Sequence, residues 1–120
     1  MSAESKDPIP EKRILKIIIV IRGENVILDS DLAKLYDVEP RWLNEQVRRN
    51  IEKAPDDFMF QLTKEEFENL KSQIATSSSG WGGRRKLPFV FTEHGALQAA
   101  NVLNSSQANK MSVFILRTLL

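Results

Sequence analysis

S-D-L-A-K-L-Y-D-V-E-P-R-W-L-N-E-Q-V-R-R-N-I-E-K, residues 30–53, holds two apolar periods with one break between them. The Ser30 hydroxyl can cap a first helix, and Asp31 suits the positive end of that helix's dipole. Leu32, Leu35 and Tyr36 then fall three and four apart on one face. Asp37 and Val38 interrupt the pattern. Pro40 restarts it, because proline at the first helical position lacks only an amide hydrogen that would have no partner anyway. Leu43, Val47 and Ile51 recur every fourth residue and form the second helix's inner face. Arg41, Trp42, Glu45, Arg48, Arg49 and Glu52 point away from it.

Two helices joined by so short a turn form a helix-turn-helix pattern, in which the second helix, about 40–53, can enter a DNA major groove. Small Ala33 permits close crossing, and Val38 drops between the helices. Glycine is common in such turns, where a left-handed backbone is needed; here Asp37 has to adopt it. Periodicity alone fits an ordinary pair of core helices equally well.

The flanking sequence supplies the rest of the fold. Residues 1–12 are polar, with Pro8 and Pro10, and read as a flexible leader. Residues 14–21, rich in Ile and Val, read as a strand. After Arg22-Gly23-Glu24-Asn25, the run Val26-Ile27-Leu28 completes a hairpin. Phe58, Phe60 and Leu62 alternate as a third strand, and Thr63 with Glu66 forms a capping box for a helix over 64–74, with Phe67, Leu70 and Ile74 inside. Residues 87–91 can pair with 58–62 as a second hairpin. Thr92 caps a helix over 93–103 in which Gly95 allows close packing. Asn104 and Ser105 end it, and Ser106 opens a last helix with Val113, Leu116 and Leu120 in one stripe, broadened by Met111, Phe114 and Ile115. This stripe runs to the last residue, so a longer parent chain or a contact with another subunit is expected. The predicted fold is α+β: small antiparallel β-hairpins packed on a helix-turn-helix and C-terminal helices, with residues 13–120 as one domain.

Bulk composition narrows the function. With 120 residues, 42% hydrophobic and 28% charged, the chain has enough apolar content for one core and too little length for two. Its longest apolar run, residues 17–21, is far short of a membrane span, and the absence of cysteine excludes disulfides. A cytoplasmic location is expected, with no membrane partner. A net charge of +1 excludes a general polycation, so nucleic-acid binding requires clustered cations. One such cluster is Arg84-Arg85-Lys86, at the end of a Ser- and Gly-rich loop around Trp81; the loop can lie along phosphates as a wing does. It lacks the spacing of a nucleotide P-loop. The lone histidine, His94, sits inside a helix start, and no second His or Cys joins it. Asp56-Asp57 and Glu65-Glu66 have ordinary roles in a turn and a first helical turn. No catalytic residue, metal site or cofactor is therefore expected.

Three blocks in fixed order carry a family resemblance: I-R-G-E-N-V-I-L-D-S-D-L-A-K-L-Y-D-V-E-P-R-W-L-N-E-Q-V-R-R-N-I-E, A-P-D-D-F-M-F-Q-L-T-K-E-E and G-G-R-R-K-L-P-F-V-F-T-E-H-G-A-L. Over residues 17–120 the chain resembles the KilA-N-like domains of phage and bacterial proteins, specifically the ORF-six-N subgroup. The resemblance implies a DNA-binding module of a phage antirepressor or other transcription regulator. Its motif falls on Arg22 and Gly23, on Asp31, Leu32 and Ala33, on Arg48, Arg49 and Asn50, and on Arg84 and Arg85. The family's turn glycine is Asp37 here, and the usual aromatic-rich partner domain is absent from this sequence.

On this reading Arg41, Asn44, Glu45 and Arg48 face base edges of double-stranded DNA, since Arg can bridge guanine and Asn can pair with adenine. Arg49, Lys53, Arg84, Arg85 and Lys86 neutralise phosphates. Asn50 is expected to bond backbone, Trp42 to pack locally, and Trp81 either to stack on DNA or to pack. The alternative function is a protein-interaction or homodimerisation domain using the C-terminal helix. The two are compatible, because symmetric dimers read paired half-sites.

Overall fold

The computed structural model describes residues 10–50, 56–74 and 86–119. In chain order these form α1 (Pro10–Ile17), β1 (Ile18–Ile21), β2 (Glu24–Leu28), α2 (Asp29–Tyr36), α3 (Pro40–Asn50), β3 (Met59–Gln61), α4 (Lys64–Ile74), β4 (Phe89–Thr92), α5 (Glu93–Leu103) and α6 (Ser106–Leu119). The class is α+β, as expected. The hairpins are not separate: β4 pairs with both β2 and β3, giving one antiparallel sheet in the order β1-β2-β4-β3.

Register explains why these short strands are apolar at consecutive positions. Ile27, Phe91 and Met59 lie opposite one another across three strands, as do Leu28, Val90 and Phe60 in the next row. Successive residues face opposite sides. The first row packs with α1, α2, α3, α5 and α6, and the second packs with Phe67 and Leu70 of α4. The sheet is therefore buried on both faces, which corrects the reading of 58–62 as a strand with one inner side: Met59 is as buried as Phe60 and Leu62.

Residues 14–17 are helical rather than extended, and the helix begins at Pro10, within the segment read as a leader. Ile14 is fully buried, Ile17 packs against the same cluster, and Leu15 and Lys16 face out. That is helical spacing, supported by proline at the first position and Glu11 in the first turn. Its β-branched composition favoured a strand only while tertiary burial was ignored.

The helix pair follows the sequence closely. Leu32, Leu35, Tyr36, Leu43 and Val47 are buried, and the Tyr36 hydroxyl donates to the Ala96 carbonyl at 2.8 Å. Burial holds the Tyr36 phenol neutral, well above its ordinary range. Asp37 takes the left-handed backbone (φ 61°), and the Val38 amide closes the helix end on the Ala33 carbonyl at 2.9 Å. The first cap differs from expectation. Helix α2 begins at Asp29, and the amide of Ser30 donates to Asp29 Oδ1 at 2.7 Å, so Ser30 is not the cap.

Three further elements match their sequence signals. Thr63 and Glu66 exchange amide hydrogen bonds of 2.8 and 3.1 Å as a capping box. Thr92 Oγ1 accepts from the Gly95 amide at 3.1 Å. A Cβ at Gly95 would lie 1.7 Å from the Phe58 carbonyl oxygen, so only glycine allows α5 to approach there. The last helix presents a different stripe: Ala108, Met111 and Ile115 are buried, whereas Val113 and Leu116 face outward. Leu120 and the side chain of Ile74 lie outside the described residues.

Candidate nucleic-acid interface

Helix α3 separates its two faces sharply. Leu43 and Val47 have no exposed surface, which fixes the helix against the core, while Arg41, Trp42, Glu45, Arg48 and Arg49 are exposed. Trp42 exposes 44% of its surface, so somewhat more than half of it is covered. Asn50 does bond backbone, donating to the Gln46 carbonyl at 2.8 Å, though from an exposed position. Ile51, Glu52 and Lys53 lie outside the described residues.

Beyond α3, an open cleft of about 690 Å³ separates it from the β3 edge and the start of β4. Glu45, Arg48 and Arg49 line one wall; Asp56, Gln61 and Phe89 line the other. The Arg48 guanidinium lies 5.5 Å from the centre of the Phe89 ring, a cation–π contact that holds it on the cleft side of the helix. Two carboxylates among these residues keep the cleft from being a uniform anion trough.

The segment leading into β4 is tied down at this spot. The Gln61 side chain donates to the Leu87 carbonyl at 3.0 Å, and the Leu62 amide to the Pro88 carbonyl at 2.9 Å. Lys86 is exposed, three positions before Phe89, so their Cα atoms are separated by no more than about 11 Å. The end of the basic segment thus emerges near the ring that Arg48 covers. Arg84, Arg85 and Trp81 lie outside the described residues.

Asp29 couples these parts. It is 1% exposed; besides the Ser30 amide, its carboxylate accepts from Asn44 Nδ2 at 2.9 Å and from the Phe89 amide at 3.3 Å. One buried carboxyl group therefore joins the start of α2, the middle of α3 and the start of β4. Asn44, expected among the base-reading residues, spends an amide hydrogen on this junction, and its Oδ1 is buried without a hydrogen-bond partner. Its observed contact positions α3. The sequence reading missed Asp29, although an aspartate beside Ser30 at a strand-to-helix switch is a recognisable capping signal.

Next to Asp29, burial raises the Asp31 carboxyl above its ordinary range, opposed by nearby Lys34 and reinforced by Asp29. Among the described residues, no three His, Cys, Asp or Glu side chains converge as a metal set, and no helix is long and apolar enough to cross a membrane.

A small α+β module that fixes one cation-bearing helix beside a sheet edge is the class these features define. Within it, the chain belongs to the ORF6N domain family, a phage-type domain, which it matches over residues 16–102. That span includes α3, the cleft, Asp29 and β4, and leaves α6 outside. No curated protein and no solved structure shows a significant match to the chain.

Proposed function

We propose that this domain is a double-stranded DNA-binding module of the KilA-N-like kind, serving a phage-type regulator or antirepressor in the cytoplasm without catalysis or cofactor. The carrying observation is the placement of Arg48 over Phe89, which joins the outward face of α3 to the end of the basic segment. Arg41, Glu45 and Arg48 read base edges, with Arg suited to guanine and Glu to the cytosine amino group. Arg49, Lys53, Arg84, Arg85 and Lys86 neutralise phosphates. Asn44 acts through Asp29 to orient the helix.

Fluorescence anisotropy with duplex DNA tests this reading. Affinity should fall steeply with salt, and Arg84→Glu/Arg85→Glu should weaken binding and lower the salt slope by about one unit for each phosphate-binding side chain removed. Arg48→Ala should relax sequence preference. Affinity indifferent to salt and to all these changes, with the fold intact, would refute it.

The exposure of Val113 at 46% and Leu116 at 36% on α6 favours a second reading, a protein-interaction face without DNA readout. That reading expects Val113→Glu/Leu116→Glu to abolish partner binding, with no salt-dependent affinity for duplex DNA in parent or variant.

A further inference from the structure

Among the described residues the sheet has two edges, and they differ in chemistry. At one, β3 is only three residues long and borders Arg48, Arg49 and Asp56, the charged surroundings that normally protect an edge from pairing. At the other, β1 is Ile-Ile-Val-Ile, without charge or proline, and Val20 exposes 70% of its surface. Leu15, just before it in α1, is 62% exposed. An apolar edge without such protection is a template for another strand.

Backbone geometry defines what that strand would meet. The loop between β1 and β2 is two residues, Arg22 and Gly23, with φ of 56° and 76°, so it is the tight hairpin in which the flanking pair, Ile21 and Glu24, exchanges both hydrogen bonds. By alternation Ile19 does the same with Val26. The C=O of Ile18 and the N–H and C=O of Val20 consequently point to the edge that no described strand pairs, while the Ile18 N–H closes the last turn of α1.

We propose that β1 pairs with β1 of a second copy of this chain, antiparallel, with Ile18 opposite the partner's Val20 and Ile19 opposite the partner's Ile19. This register is its own mirror under a two-fold rotation, so one apolar tetrapeptide supplies both halves of the contact. Each Val20 amide then donates to the partner's Ile18 carbonyl, and the Val20 side chain lies against isoleucine. The pairing does not depend on the DNA reading, and it uses a different surface from α6.

Mass measured by light scattering across a concentration series tests the pairing on the full chain. The parent should shift from monomer toward dimer as concentration rises. Val20→Lys should remain monomeric with unchanged circular dichroism, while Val113→Glu/Leu116→Glu should dimerise as the parent does. Register is tested separately, because the chain has no cysteine: oxidised Ile19→Cys should form a covalent dimer, and Val20→Cys should not. A parent that stays monomeric, a Val20→Lys dimer, dissociation by the α6 substitutions, or cross-linking through Val20→Cys in place of Ile19→Cys would each overturn the proposal.

Discussion

Single residues in this fold act at turns and junctions, where one side chain decides a backbone path. Arg22 holds a left-handed conformation unusual for a long side chain, and its guanidinium both meets Glu66 (2.8 and 3.1 Å) and covers the Phe60 ring at 4.1 Å. The hydrogen bond from Arg22 is the main cause that holds the Glu66 carboxyl below its ordinary value of 4.5. A depressed folded-state value means that the contribution is present above about pH 4.5 and disappears as pH falls through the folded value. Glu66→Gln should therefore cost no more than about 1 kcal/mol at neutral pH, the scale of an exposed pair. Denaturant midpoints of parent and variant should converge in acid; a gap unchanged from pH 7 to pH 3 would show that the ion pair is not its source. At Gly95 the determinant is space, because any Cβ collides with the Phe58 backbone. Gly95→Ala should cost about 3 kcal/mol through forced separation of α5 from the sheet, read as a lower thermal midpoint.

Elements were legible in the sequence wherever a local rule and the tertiary environment agreed. Helices α2, α3, α4 and α5 have breaks and apolar spacing within their own residues, α4 and α5 have side-chain caps as well, and Asp37 showed its left-handed role because no glycine was there to take it. Misreadings arose where burial comes from distant segments. Ile14 and Ile17 look like strand residues until α6 is packed against them, and the inward side of α6 is chosen by small Ala108 rather than by the larger Val113 and Leu116. The outward face of α3 was readable from its arginines, whereas the cleft was not, since its far wall comes from residues 56–61 and Phe89. The junction that Asp29 makes was hidden for the same reason, since Asn44 and Phe89 lie 15 and 60 positions away from it. Asp29→Ala should cost about 3 kcal/mol, because it removes a buried carboxylate and leaves the Asn44 and Phe89 donors unpaired. Asn44→Asp, which puts a second carboxylate against Asp29, should be at least as damaging at neutral pH. Equal denaturant midpoints for Asp29→Ala and parent would show that the junction does not hold α3.

At the scale of the whole molecule, the proposed self-pairing would give the two sheet edges different roles. The β3 edge borders the arginine-bearing helix, and a dimer paired through the β1 edge would run β3-β4-β2-β1 and then the same strands in reverse. The two-fold axis of an antiparallel pair is normal to the sheet, and both copies therefore carry α3 on the same face. Seven strand-to-strand steps of about 4.8 Å separate the outer β3 strands by about 34 Å. One turn of B-DNA is about 34–36 Å, the separation at which paired half-sites face the same way. Sheet twist turns the two ends in opposite senses about the line joining them, so the phase of the half-sites is constrained along with their distance. Selection of bound duplexes from a random pool should yield an inverted repeat with half-site centres about 10 base pairs apart. Inserting about 5 base pairs moves one half-site to the opposite side of the duplex and should weaken the parent's binding, while monomeric Val20→Lys should be indifferent to the insertion. Spacing dependence that survives Val20→Lys would assign half-site pairing to another surface. Salt-dependent binding with no spacing preference in either protein would retain α3 as the DNA contact and remove the dimer from its mechanism.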